Sequence, residues 1–330
     1  MRLVFMGTPE FAVPSLQALL DHGFEVAAVV TQPDRPVGRG GIVRPPPVKE
    51  VAERAGLTVL QPPTLRAPDA LATLRAIQPD LIVVVAFGQI LRRAVLDLPP
   101  LGCVNVHPSL LPKLRGAAPI QAAIREGLSE TGVSIMLMNE RMDAGPLLAQ
   151  VTAPIFPDDT AATLGDRLAR MGADLLVDVL PRWQAGTISP KPQDDTEATF
   201  CRPLQKEDAV VDWSAPAELI ARICRAQTPW PGCQTNWDGR QLRLLTVRAR
   251  PDWTGPKPPG MTFLLSTSSG EPPDLAVATG QGALIVEQLQ LAGKKPLRAA
   301  EFLRGQPRFV GARLGGTPNQ ATSVASEQRR

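Results

Sequence analysis

Histidine is nearly missing from this chain: two occur among 330 residues, alongside four cysteines, no tyrosine, and an aromatic share of 4%. Each shortage excludes something. Cys103, Cys201, Cys224 and Cys233 form no C-x-x-C pair, so neither a metal cage nor a disulfide framework is expected. Scarce aromatics make stacking on unpaired bases a minor source of any nucleic-acid affinity. No apolar run approaches the roughly 20 residues that span a bilayer. The opening MRLVFMGTPEF breaks at Gly-Thr-Pro-Glu after a few apolar residues, too soon for the core of a signal peptide. A cytoplasmic protein with no membrane association and no bound metal is the expectation.

The length suits about two domains and a sizeable core. Residues 1–200 hold 18 Lys and Arg against 21 Asp and Glu, whereas residues 201–330 hold 17 against 11. A basic C-terminal part allows a polyanionic partner such as nucleic acid, and a merely solvated basic surface explains the count equally well.

Along the chain, short apolar runs alternate with amphipathic stretches. RLVFMG, EVAAVVT, LTVLQ, PDLIVVVAFG and LGCVNVH read as strands, and the segments after most of them read as helices. That alternation predicts an α/β architecture with a doubly wound, mostly parallel sheet over residues 1–184. TGVSIMLMN and GPLLAQVTAPI follow without a helix between them, which predicts an antiparallel edge. Residues 185–208 are polar and proline-bearing without apolar periodicity, as an extended linker would be. Residues 209–314 carry short β-like runs separated by Gly and Pro turns, the pattern of a small barrel. Residues 315–330 read as a disordered tail.

One of the two histidines lies in NVHPSLLPKLRGAAP, at the end of a strand. Period-two alternation puts Asn105 and His107 on one face and Val104 and Val106 on the other. In a parallel sheet, ligands bind beyond the carboxyl ends of the strands. An amide there can donate to an oxygen that gains charge, and an imidazole can move a proton near neutral pH. Asp143, in the turn NERMDAGPLL, is the third polar group placed to return to that strand end, although Asp before Ala-Gly is also ordinary turn chemistry.

With these residues in view, NVHPSLLPKLRGAAPIQ and the Asp143 segment resemble the core of the folate-dependent formyltransferases. MRLVFMGTPEFAVPSLQAL, VTQPDRPVGRG, RAQTPWPG and LQLAGKKPLRAAEFLRG extend the resemblance from Arg2 to about Leu314, towards the members acting on methionyl-initiator tRNA. It implies a Rossmann-like formyltransferase fold with a C-terminal OB-like domain. The reaction it implies is formyl transfer from 10-formyltetrahydrofolate to the α-amino group of that tRNA. A monomer is the expectation. Asn105, His107 and Asp143 would be the catalytic residues. Ser109, Leu110, Leu111 and Pro112 would hold the folate, and Phe87, Gly88, Gln89 and Ile90 would line the same pocket. The nearest rival is a formyltransferase acting on an amino sugar nucleotide, which would share the same core.

The stretch Gln32–Pro47 is long for a βα connection and carries Arg35, Arg39 and Arg44 among glycines, as suits an arm ordered by a phosphate backbone. In the family a matching loop enters the acceptor end of the tRNA, and Arg39 is the residue expected to do so here. Where the family usually has two lysines after Gly-Arg-Gly, this chain has Gly41 and Ile42. Lys206, Lys294, Lys295, Arg298, Arg304 and Arg308 are the expected tRNA footprint of the C-terminal domain.

Overall fold

The computed structural model describes residues 1–37, 41–266 and 272–315. Two compact units divide the chain: Met1–Ala123, Ser129–Phe156 and Thr163–Pro203 form the first, and Ile124–Leu128, Pro157–Ala162 and the chain from Leu204 onward form the second.

The first unit is built on seven strands: β1 (Arg2–Gly7), β2 (Glu25–Val30), β3 (Val59–Leu60), β4 (Leu81–Val85), β5 (Cys103–His107), β6 (Glu130–Leu137) and β7 (Leu147–Pro154). Their order is β7-β6-β5-β4-β1-β2-β3. All neighbours pair parallel except β5 with β6 and β6 with β7, so the edge is antiparallel as expected. Helices α1 (Val13–Asp21), α2 (Pro47–Arg54), α3 (Pro68–Ile77), α4 (Arg93–Leu96), α5 (Pro119–Glu126) and α6 (Ala161–Gln184) lie between and after these strands. Sheet order reverses between β1 and β4, which is where such folds open a crevice at the strand ends.

Every residue of β4 is buried, and its β-branched run suits a strand covered on both faces. β5 is buried throughout but mixed in chemistry. Cys103 packs with Val4, Met6, Ile82 and Val84 on one face. On the other, helix α6 comes so close at Gly172 that a Cβ there would stand 2.8 Å from Val106 and 3.2 Å from Val133. A one-residue slip of β5 would press an amide and an imidazole against α6 and expose two valines. Unsatisfied polar groups cost about 1–3 kcal/mol each and lost valine burial a similar amount, so the register is held.

Residues 185–203, read from composition as a linker, belong to the first unit. Lys191 exchanges backbone hydrogen bonds with Leu147, and Phe200–Cys201 pairs in parallel with Arg115–Gly116. The segment has no apolar periodicity because it is fastened by backbone and polar side-chain bonds.

The second unit holds α7 (Ala217–Ala226), then β8 (Cys233–Trp237), β9 (Arg240–Arg250), β10 (Thr262–Leu265), β11 (Asp274–Ala278), β12 (Ala283–Leu291) and β13 (Leu297–Arg298), then α8 (Ala299–Gly305). The antiparallel order is β8-β9-β12-β11-β10, with β13 beside β12. Among the described residues no ladder joins the two ends of this path. Ile220 and Cys224 of α7 pack with Leu242, Leu284 and Val286, and Trp237, Phe302 and Phe309 meet edge to face at 5.0–5.9 Å. The tail read as disordered lies, past Gly315, outside the described residues. Among the described residues, no helix is long and apolar enough to cross a membrane.

Candidate active site

Asn105 and His107 sit two residues apart on one face of β5, opposite Met136 and Ser134 of β6. Both are buried. No hydrogen bond among the described residues takes the Asn105 side-chain amide. At 9% residue exposure the amide is left free to donate to a ligand oxygen at the strand end.

His107 Nε2 lies 3.1 Å from Leu114 O. A carbonyl only accepts, so the Nε2–H donates and Nδ1 carries the lone pair. Nδ1 faces Asp143 Oδ1 at 3.8 Å, beyond hydrogen-bond reach. Burial lowers the His107 pKa, against the smaller raising effects of the Asp143 carboxylate and the Leu114 carbonyl, so the ring is neutral at pH 7. Two acceptors therefore oppose each other across a gap that a proton donor would bridge.

Asp143 reaches this position from the β6–β7 connection. Its φ is +49°, and Oδ2 accepts from Gly116 N at 2.8 Å. Gly145 makes the tight crossing possible: a Cβ there would stand 1.7 Å from Leu137 O. The structure thus brings together the three residues singled out in the sequence. The partners Leu114 and Gly116 carried no sequence signal, because each contributes only backbone.

The expected folate segments divide. Ser109 and Leu111 turn inward: Ser109 Oγ donates to Lys113 O, Ser134 Oγ donates to Ser109 O, and Leu111 N donates to Ser134 Oγ. Gln150 Nε2 donates to Leu111 O. This backbone is thus largely bonded within the chain. Leu110 and Pro112 are half-buried, with Leu110 packed over Gly132. Phe87 belongs to the core, and its carbonyl accepts from Thr8 Oγ1 and Gln32 Nε2. Gln89 is bonded to Leu65 N and Pro62 O. Gly88, at φ +83°, and Ile90 are exposed beyond the end of β4. A flat ring fits that chemistry: an exposed apolar side chain beside a position with no Cβ.

Family models match nearly the whole chain: "Formyl transferase" over residues 1–180 and "Formyl transferase, C-terminal domain" over 203–307. The chain belongs to the formyl transferase family. Among curated relatives of this formyl transferase, the methionyl-tRNA formyltransferase of Roseiflexus castenholzii is 50% identical over 317 residues, covering 96% of this chain and 99% of the relative. That of Trichlorobacter lovleyi is 47% identical, covering 98% and 99%. Among solved structures, the N-formyltransferase of Helicobacter canadensis, in complex with folinic acid and dTDP-3-aminofucose, is 17% identical. It superposes with a TM-score of 0.62, covering 86% of this chain and 98% of that one, a likeness of fold.

The arginine-rich stretch of this formyl transferase, read from sequence as a long βα connection, holds two short antiparallel strands, Arg35–Val37 and Ile42–Arg44. Arg39 lies outside the described residues. Arg35 stands directly across from Arg44, and like charges so placed repel until an anion comes between them. The neighbouring Asp34 is committed elsewhere: Gln61 and Lys49 bond its carboxylate and hold its pKa below the usual range. Lys294, Lys295, Arg298, Arg304 and Arg308 are exposed within one turn-strand-helix passage after β12, whereas Lys206 is exposed in a separate 3-10 turn, Lys206–Ala209. Arg308 also lines, with Trp237, Gln306 and Arg313, a cleft of about 610 Å³.

Proposed function

We propose that this formyl transferase moves the formyl group of 10-formyltetrahydrofolate to the α-amino group of methionyl-initiator tRNA. The observation that carries this reading is the near-complete, half-identical match to a methionyl-tRNA formyltransferase. The free amide of Asn105 beside the His107–Asp143 gap supports it chemically.

The folate supplies an electrophilic formyl carbon and a nitrogen that leaves. Asn105 donates to the formyl oxygen as that oxygen gains negative charge, and a buried donor aimed there acts without reorganising. The attacking amine must be neutral, and α-amino pKa values of about 7.7–8.0 leave a usable neutral fraction at cellular pH. Its N–H enters the gap between Nδ1 of His107 and Oδ1 of Asp143, donating where two acceptors oppose each other. Nδ1 takes the proton and passes it to the leaving nitrogen, while the Asp143 carboxylate stabilises the imidazolium between the two transfers. Gly88 and Ile90, with Leu110 and Pro112, form the wall for the pterin, and Ser109 and Leu111 brace it from beneath. The Arg35–Arg44 hairpin, Arg39 and the basic residues of the second unit take the tRNA backbone. On this reading the chain works in the cytoplasm as a monomer.

Incubation with 10-formyltetrahydrofolate and charged initiator tRNA should yield formylmethionyl-tRNA, whereas a dTDP-amino sugar should remain unmodified. Product with the sugar and none with the tRNA would reverse the assignment. Asn105→Ala should lower kcat by about 10²–10³-fold, the usual cost of losing one oxyanion donor, while filter binding of the tRNA stays near wild type.

A further inference from the structure

Leu114 and Asp143 face His107 from two different chain segments, and a third segment, which places no side chain at the reacting atoms, holds both. Leu114 N donates to Thr199 Oγ1 at 2.8 Å, and Arg115 N donates to Thr199 O at 2.9 Å, which holds the carbonyl that accepts from Nε2–H. In the other direction, Gln193 Nε2 donates to Asp143 O at 2.8 Å and to Gly145 O at 2.7 Å. Gln193 Oε1 accepts from Nε and Nη2 of Arg115, at 3.1 and 2.8 Å. The Arg115 guanidinium is buried. It also bonds Asp195 Oδ1 at 2.8 Å, and Arg141, from the Asp143 loop itself, closes on the same carboxylate.

We infer that Gln193 is a positioning residue for formyl transfer: its one side-chain amide joins the Asp143 loop to the Arg115 segment and so sets the gap between His107 Nδ1 and the carboxylate. The inference rests on the formyl-transfer reading for what the gap does, and on geometry alone for what holds it. Asp143 stands at φ +49°, a region in which a residue with a side chain persists when its surroundings over-determine it. Two donations from one amide to the carbonyls at 143 and 145 supply that constraint. Only an amide can donate twice on one side while accepting from a guanidinium on the other. A carboxylate accepts and cannot donate; a thioether of the same length does neither usefully.

That chemistry supplies the test. Gln193→Met removes both halves of the bridge without adding charge, and Gln193→Glu keeps an acceptor for Arg115 while losing the donations. Both should lower kcat by about tenfold or more, because a catalytic group displaced by about an ångström costs up to about 10²-fold. KM for tRNA and for folate should stay within about threefold, since the Gln193 amide is taken up by Asp143, Gly145 and Arg115. A second readout needs no substrate. With only two histidines in the chain, imidazole NMR resolves His107 beside His22, which serves as the internal reference. Asp143 is the charged group facing His107, and its carboxylate opposes the larger lowering by burial. In Gln193→Met the His107 midpoint should therefore move to lower pH.

Wild-type kcat in Gln193→Glu would overturn the inference. So would a loss of kcat in both variants with the His107 midpoint of Gln193→Met unmoved, which would mark a general loss of stability. If the unsubstituted chain makes no formylmethionyl product, the functional reading fails separately, and the His107 titration still decides the role of Gln193.

Discussion

At His107, one hydrogen bond decides the chemistry of the whole ring. Donation from Nε2 to Leu114 O leaves the lone pair on Nδ1, and burial keeps the ring neutral against the pull of Asp143. The same depressed pKa makes the fold acid-sensitive. Below the unfolded value of about 6.5, the unfolded chain binds a proton that the folded chain refuses, so stability falls as pH drops from there towards the folded pKa. Well above 6.5 the ring is neutral in both states and contributes no slope. One such proton accounts for at most about 1.4 kcal/mol per pH unit. Urea unfolding at pH 5.5 and 7.0 should thus show a smaller loss in His107→Gln than in the unsubstituted chain; equal losses would mean His107 ionises as readily folded as unfolded.

Strand β5 acts at the next scale by carrying polar and apolar side chains on opposite faces, so that helix α6 packs close to Val106 while Asn105 and His107 lie on the other face. Partner loops reach that strand end through glycines where no Cβ fits. At Gly116, with φ +122°, a Cβ would stand 2.1 Å from Cys201 O. Gly116→Ala should break the short pairing between 115–116 and 200–201 and cost about 2 kcal/mol or more, read as a lower melting temperature. Because Gly116 N holds Asp143 Oδ2, kcat should fall with it. Retention of both properties would show that the pairing is dispensable.

Across the whole molecule, charge is divided unevenly, and the basic groups in residues 201–330 are joined in the first unit by the facing Arg35 and Arg44. If these meet a phosphate backbone, tRNA affinity should fall linearly on a log–log plot against salt. Arg35→Ala should weaken binding and reduce that slope by about one. A variant with unchanged slope would place Arg35 off the tRNA. How much of this was legible beforehand follows from the range of each interaction. Alternation along one strand placed Asn105 and His107 together, because side-chain direction in a strand depends only on neighbouring residues. The same local logic found the parallel sheet and its antiparallel edge, though it read a fastened polar segment as a linker. Tertiary structure alone decided that Asp143 stops 3.8 Å from Nδ1, that Ser109 and Leu111 face inward, and that Gln193 bridges two loops. Most of the bonds behind those facts join groups 23 to 78 positions apart, and a hydrogen bond, unlike hydrophobic periodicity, imposes no pattern on the residues around it.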